Sequence, residues 1–252
     1  MERSIKYLWI LPLILFGCSQ TYHLADEQVK TYRITEKTVD NAEDSDVEQM
    51  IRPYRDQLAS EMNQMIGLVA SPLEKNDGES TLGNFVADAV LAQAELITGQ
   101  DLDFGICNSG GIRIPGLPAG PLTRGKIFEL MPFDNYLVTM EVPGTVIAEL
   151  FERMAATGGW PISHGVTYEI KNGKAQNIMI NGKMLDPGSS YSFVLSDYLA
   201  EGGGNLPFLK DYSYKNLNVY YRDAIIEYVN LQHAASKSID AILEGRVINL
   251  DN

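Results

Sequence analysis

Residues able to do chemistry gather in three loops of this chain. The first, Asn108-Ser109-Gly110-Gly111-Ile112-Arg113, follows an apolar run that ends at Cys107. Gly110 and Gly111 let a backbone approach a ligand closely, the Asn108 amide offers both a donor and an acceptor, and Arg113 supplies a planar fork that binds anions or lies on a ring. Alone, the pattern equally describes a glycine turn beside a solvated arginine. The second loop, Pro132-Phe133-Asp134-Asn135, precedes an apolar run, and the third, Asp197 to Asn205, follows one. Phe133 and Tyr198 have the flatness to flank a planar ligand, with Asn135 reading a polar edge. Singly, such rings also serve as core or loop anchors.

Other chemistries lack their residues. A dinuclear phosphoesterase centre needs several His, Asp and Asn ligands in short motifs, but the histidines are only His23, His164 and His233, none in such a motif. No metal site is expected on this chain. Cys107 sits at the apolar end of a strand-like run and reads as a buried, inert thiol; the other cysteine, Cys18, lies in a sorting signal, so neither a disulfide framework nor a Cys-based zinc site is expected. With 33 acidic against 20 basic residues the net charge is −13, which argues against a nucleic-acid partner.

The elements that must hold these loops follow from periodicity. A helix is expected from Val47 to Ile66, interrupted at Pro53; a second begins at Glu79-Ser80-Thr81, carries Leu82, Phe85, Val86, Ala89 and Val90 on one face, and stops near Gly99; a third runs from Gly144 to Thr157, stopped by Gly158-Gly159. Strands are expected at Leu102 to Cys107, Tyr136 to Val142, Val166 to Ile170, Ile178 to Ile180 and Tyr191 to Ser196. Asn172-Gly173 and Asn181-Gly182 suit the positive φ of type I′ hairpin turns. Interleaved helices and hairpins predict one α/β domain over residues 46–252, with mixed sheets covered by helices.

The N-terminus reads as an export signal. Arg3 and Lys6 precede the apolar run Tyr7 to Phe16, too short for the ~20 residues of a membrane span, and Leu15-Phe16-Gly17-Cys18 is similar to a bacterial lipobox, with Cys18 as the lipidated residue. Residues 1–17 are then a signal peptide and 18–45 a lipidated tether and linker, in which Gln28 to Thr35 has a strand-like alternation and Val39 to Asp46 is an acidic loop. A multiply acylated cysteine holds a chain firmly on a bilayer. The expected place is the bacterial cell envelope, at the outer membrane facing the periplasm or surface, Ser19 being compatible with onward sorting.

From about Gly67 to Val247 the chain closely resembles the C-terminal domain of bacterial and animal 5′-nucleotidases. Five ordered segments carry the likeness: Glu79 to Ala89, Asn108 to Arg113, Gly125-Lys126-Ile127-Phe128 leading to Pro132-Phe133-Asp134-Asn135, Ser163-His164-Gly165-Val166, and Tyr198 to Gly204. In that family this domain grips the nucleoside, and a separate N-terminal metallophosphoesterase domain holds two metal ions and hydrolyses the phosphate. The resemblance implies that Phe133 and Tyr198 sandwich the base while Asn108, Arg113 and Asn135 supply polar contacts, with His164 either near the nucleoside or facing solvent. Two positions depart from the family: Gly204 stands where an acidic residue often holds the ribose, for which Glu201 or Asn205 offers partial compensation, and Gly78 stands where an arginine often precedes the Glu79 motif. The expected function is the nucleotide- or nucleoside-recognition chain of a split 5′-nucleotidase, with divalent metals on a separate metallophosphoesterase chain. The alternatives are a standalone nucleoside-binding lipoprotein used in scavenging and a degenerate structural relative.

Overall fold

Helix α1, Ser45–Met62, opens the part of the chain that the computed structural model describes, residues 45–251. The expectations for residues 1–17, for Cys18 and for the strand at 28–35 lie outside the described residues, and the polar stretch expected to run as a loop to Asp46 gives way to helix at Ser45. Two compact units divide the chain, residues 1–50 and 51–252. The first contributes only the opening turns of α1 to the described residues; the remaining elements belong to the second.

α1 stops at Met62, short of the expected Ile66, and Met65–Val69 forms strand β1, which buries Ile66 and Val69. It pairs antiparallel with β5, Gly120–Thr123. A shorter pair, β2 (Leu73–Glu74) and β4 (Gly116–Leu117), lies nearby in sequence. Helix α2, Thr81–Thr98, begins and ends where the residue types ask: the Ser80 hydroxyl accepts from the Gly83 amide at 3.0 Å, and Gly99 closes the last turn at φ 67°. Only Phe104–Gly105 of the expected strand at 102–107 is paired as strand β3. Its continuation is held by the segment after Gly159, with the Cys107 amide donating to the Pro161 carbonyl.

The sheet that positions the three loops has the order β11 (Tyr214–Tyr220), β6 (Tyr136–Pro143), β10 (Ser190–Ser196), β3. β6 runs antiparallel to both neighbours, and β10 runs parallel to β3. Both faces are buried, so alternate residues enter different cores. Leu137 and Val194 join α2 and α6 (Tyr221–Ala234) on one side. Val138, Met140, Val142, Phe193 and Leu195 meet α4 (Gly144–Ala155) and a second sheet on the other. This double burial explains why these strands read as continuous apolar runs.

The second sheet has the order β12 (Val247–Asn249), β7 (Val166–Lys171), β8 (Lys174–Ile180), β9 (Lys183–Met184). Asn172-Gly173 and Asn181-Gly182 turn its two hairpins with φ between 50° and 73° at all four positions, as expected for type I′ turns. A short helix α3, Arg124–Leu130, leads into the Pro132–Asn135 loop. The expected mixed α/β architecture is thus present.

Candidate functional site

Strand register brings the three loops to one end of the first sheet. Ser196 pairs with Leu137, Tyr220 with Tyr136, and Phe193 with Phe104, so β3, β10 and β11 all finish where β6 begins. Loops leaving the carboxyl ends of strands are the usual ligand sites of α/β sheets. Asn108 and Gly111 of the first loop, Asn135 of the second and Ser196, the strand residue just before the third, line a common cavity with Cys107, Met131 and Tyr221. At about 10 Å³ it has room for roughly one water.

The two rings do not line this cavity and stand exposed, Phe133 at 38% and Tyr198 at 48%. The Arg113 guanidinium lies 5.9 Å from the Phe133 ring centroid and donates to the Gly110 carbonyl at 3.2 Å, so the glycine loop and the Phe133 loop are already joined. Tyr198 opens helix α5, Asp197–Ala200, whose start is capped by the Ser196 hydroxyl. Its phenol oxygen accepts from the Gly204 amide at 3.2 Å, and its ring covers Gly203, where a Cβ would stand 2.5 Å from ring carbons. Gly110 and Gly111 form a 3-10 turn, Ser109–Gly111, directly below Arg113.

Both family departures have a physical reason. Gly204 adopts φ 63°, and a Cβ there would lie 2.8 Å from the Trp160 indole. The room for an acidic side chain is filled by that ring. Gly78 likewise sits at φ 73° in a turn that disfavours a side chain. Of the two residues expected to compensate for Gly204, Glu201 accepts from the Tyr214 hydroxyl at 2.8 Å and Asn205 stands exposed in a left-handed turn.

The start of α6, absent from the sequence reading, anchors this end. The Tyr221 amide donates to the Asn135 carbonyl at 2.7 Å and its hydroxyl to the Ile106 carbonyl at 2.9 Å. Arg222 donates to the Phe133 carbonyl and to Asp134. Lys75, also missed, donates to the Ile112 carbonyl at 2.7 Å and brings a second cation to the glycine loop. Burial pushes the Cys107 thiol up to about 12, which suits the inert role expected for it.

Two carboxylates of the Glu79 to Ala89 motif have a structural task. Glu79 accepts from the amides of Glu244, Gly245 and Arg246 at 2.7 to 2.9 Å, and from the Asn84 amide. Asp88 takes a bidentate pair of bonds from the buried Arg246, both 2.8 Å, and one from the His164 backbone. Burial works to raise the Asp88 carboxyl, but the hydrogen bonds from His164 and Arg246 and the charge of Arg246 outweigh it and hold it below the usual range. The Asp88 carboxylate also lies 3.4 Å from His164 Nδ1, and this side-chain contact raises His164. Residues 159–163 run antiparallel to 105–109, Ser163 bonding Gly105 and Ser109 bonding Gly159, so the chain carries His164 away from Asn108. His164 is exposed beside Asp88, the solvent-facing alternative.

Among the described residues no group of three His, Cys, Asp or Glu side chains forms a metal-binding set, so the residues present do not fit a hydrolytic metal centre. A groove of about 460 Å³ lies at the opposite end of the first sheet around Thr139, Glu141, Ser190 and Tyr214, away from every expected site residue.

Comparison with known proteins agrees with this layout. Residues 61–211 match the family described as 5'-nucleotidase, C-terminal domain. The 5'-nucleotidase of Vibrio vulnificus is 27% identical over 176 residues, which span 66% of this chain and 31% of that protein. Endonuclease YhcR of Bacillus subtilis is 30% identical over 57% of this chain and 12% of its own. The chain thus spans a third or less of these curated relatives. Among solved structures, the 5'-nucleotidase precursor from Thermus thermophilus shares the fold with a TM-score of 0.70 at 24% identity, over 83% of this chain and 44% of that one. With more than half its length matched, the chain belongs to the 5'-nucleotidase C-terminal domain family.

Proposed function

We propose that this chain is the nucleotide-recognition half of a two-chain 5′-nucleotidase, held at a bacterial envelope membrane through an acylated Cys18, with hydrolysis carried by a separate metallophosphoesterase chain. The observation that supports it most is the gathering of Asn108, Arg113, Phe133, Asn135 and Tyr198 at one end of one sheet, with both rings exposed, in a family whose Vibrio member is named a 5′-nucleotidase. Exposed rings offer stacking surfaces to a base, worth ~1–3 kcal/mol each by alanine substitution. The Asn108 and Asn135 amides suit polar edges of base or ribose. Arg113 and Lys75 supply positive charge for a phosphate in a chain of net charge −13.

Binding alone does not hydrolyse a phosphate monoester, whose uncatalysed reaction is among the slowest known. Activating the water is assigned to divalent metals on the partner chain. The test is calorimetric titration of the purified chain with AMP, followed by phosphate release with and without a metallophosphoesterase chain encoded beside it. Phe133→Ala and Tyr198→Ala should each weaken AMP binding about tenfold. The isolated chain should release no phosphate, and Arg113→Ala should raise KM of the pair with kcat nearly unchanged, since that contact is made equally in ground and transition states. Metal-dependent phosphate release by the isolated chain refutes the two-chain reading. AMP binding without any productive partner favours the scavenging lipoprotein instead.

A further inference from the structure

Arg222 is an uneconomical residue for its place. It occupies the first turn of α6, where the helix dipole opposes a cation. Its side chain is only 8% exposed, and its Nε makes no hydrogen bond, with Asp223 Oδ1 3.9 Å away. Its partner Asp134 has a side chain 75% exposed, and a pair with so exposed a carboxylate adds little stability. The contacts instead converge on one loop and its approach. Nη1 donates to the Phe133 carbonyl at 3.2 Å, Nη2 donates to Asp134 Oδ1 at 2.8 Å, and the guanidinium lies 4.1 Å from the Phe128 ring centroid. The neighbouring Tyr221 amide holds the Asn135 carbonyl at 2.7 Å. The backbone is therefore gripped on both sides of Asp134, while the Phe133 ring itself stays exposed.

We propose that Arg222 is a positioning residue for ligand binding: it fixes the Phe133 backbone so that the exposed ring is presented in one orientation to the base of a nucleotide. This rests on the nucleotide reading above. A planar fork bonded to a carbonyl and a carboxylate at once sets an angle as well as a distance, which a lysine or an apolar residue does not. Presenting a ring already ordered lowers the ordering cost of binding.

The test is a double-mutant cycle on the full chain, with AMP affinity read by calorimetry and folding read by thermal unfolding. Phe133→Ala is expected to weaken AMP binding about tenfold, Arg222→Met by severalfold, and the double variant no more than Phe133→Ala alone, because the arginine acts only through the ring. A residue that merely supported the fold would give losses that multiply. Multiplying losses, or wild-type affinity in Arg222→Met, overturn the positioning role and leave the nucleotide reading intact. Wild-type affinity in Phe133→Ala overturns both. If Arg222→Met does not fold, Asp134→Ala takes its place in the cycle, since it removes the exposed end of the same clamp; wild-type affinity there, or a loss that multiplies with Phe133→Ala, overturns the proposal equally.

Discussion

Replacing Asp88 by alanine should strip the C-terminal segment of its main anchor while leaving the Arg246 charge buried. The carboxylate receives two bonds from Arg246 at 2.8 Å and one from the His164 amide at 2.8 Å. The Arg246 side chain is 5% exposed against 27% for Asp88, so the guanidinium stays buried when its partner is removed. Breaking a buried pair by removing one partner costs ~3–5 kcal/mol. Glu244 and the Ile162 carbonyl keep their bonds to Arg246, which reduces the loss to about 2–4 kcal/mol. At roughly 2–4 °C per kcal/mol for a chain of this size, the melting temperature should fall by about 5–15 °C. Because the damage is an orphaned charge, Asp88→Ala combined with Arg246→Met should recover much of it. Urea unfolding followed by circular dichroism at neutral pH measures both. A loss below ~1 kcal/mol in the single variant, or a double variant no more stable than the single, refutes the reasoning.

Since Asp88 raises His164, the stability His164 adds is full below its ordinary value of 6.5 and fades as pH rises through the raised one, whereas Asp88 contributes above 3.8 and is lost as pH falls through its lowered one. His164→Gln should therefore unfold more easily than wild type at about pH 5.5, by under ~1 kcal/mol for so exposed a pair, with the gap closing by about pH 8.5; a gap that widens with pH contradicts the assignment. Gly203→Ala places a Cβ 2.5 Å from both the Tyr198 ring and the Tyr198 carbonyl, so ring and backbone must shift and AMP affinity should drop about tenfold by calorimetry; unchanged affinity removes Tyr198 from the site. Cys18→Ser should abolish palmitate labelling and release the protein from membranes, and persistent labelling rejects the lipoprotein assignment.

The elements legible in the sequence are those whose signal is local. α2 has its apolar stripe, its Ser80 cap and its Gly99 stop in consecutive residues, and the two Asn-Gly turns dictate their own φ. β3 is legible only as an apolar run, because two paired residues carry no period and the rest of 102–107 is defined by Pro161 and Ser163 across space. α6 goes unassigned in the sequence analysis although Tyr221, Ala224, Ile225 and Val229 are all buried at helical spacing; its signal was present. The site residues were readable as types in loops, but their convergence depends on strand register. Arg222 and Lys75 were not readable at all as site residues, since their partners lie 89 and 37 residues away at Phe133 and Ile112.

The cradle of Glu79 joins amides 165 to 167 residues downstream. Closing a loop of that length in an unstructured chain costs ~4–5 kcal/mol of entropy, which is recovered only when the three bonds to the carboxylate, ~1.5–3 kcal/mol each, form together. No one of these bonds can therefore nucleate folding; they become favourable as a set once the two sheets and α2 have brought the ends together. β12 follows Arg246 directly and pairs with β7, next to this latch. In a refolding experiment read by pulsed hydrogen exchange, the amides of residues 244–246 should gain protection after those of β6 and β10, which makes this latch a timer for the final step of folding.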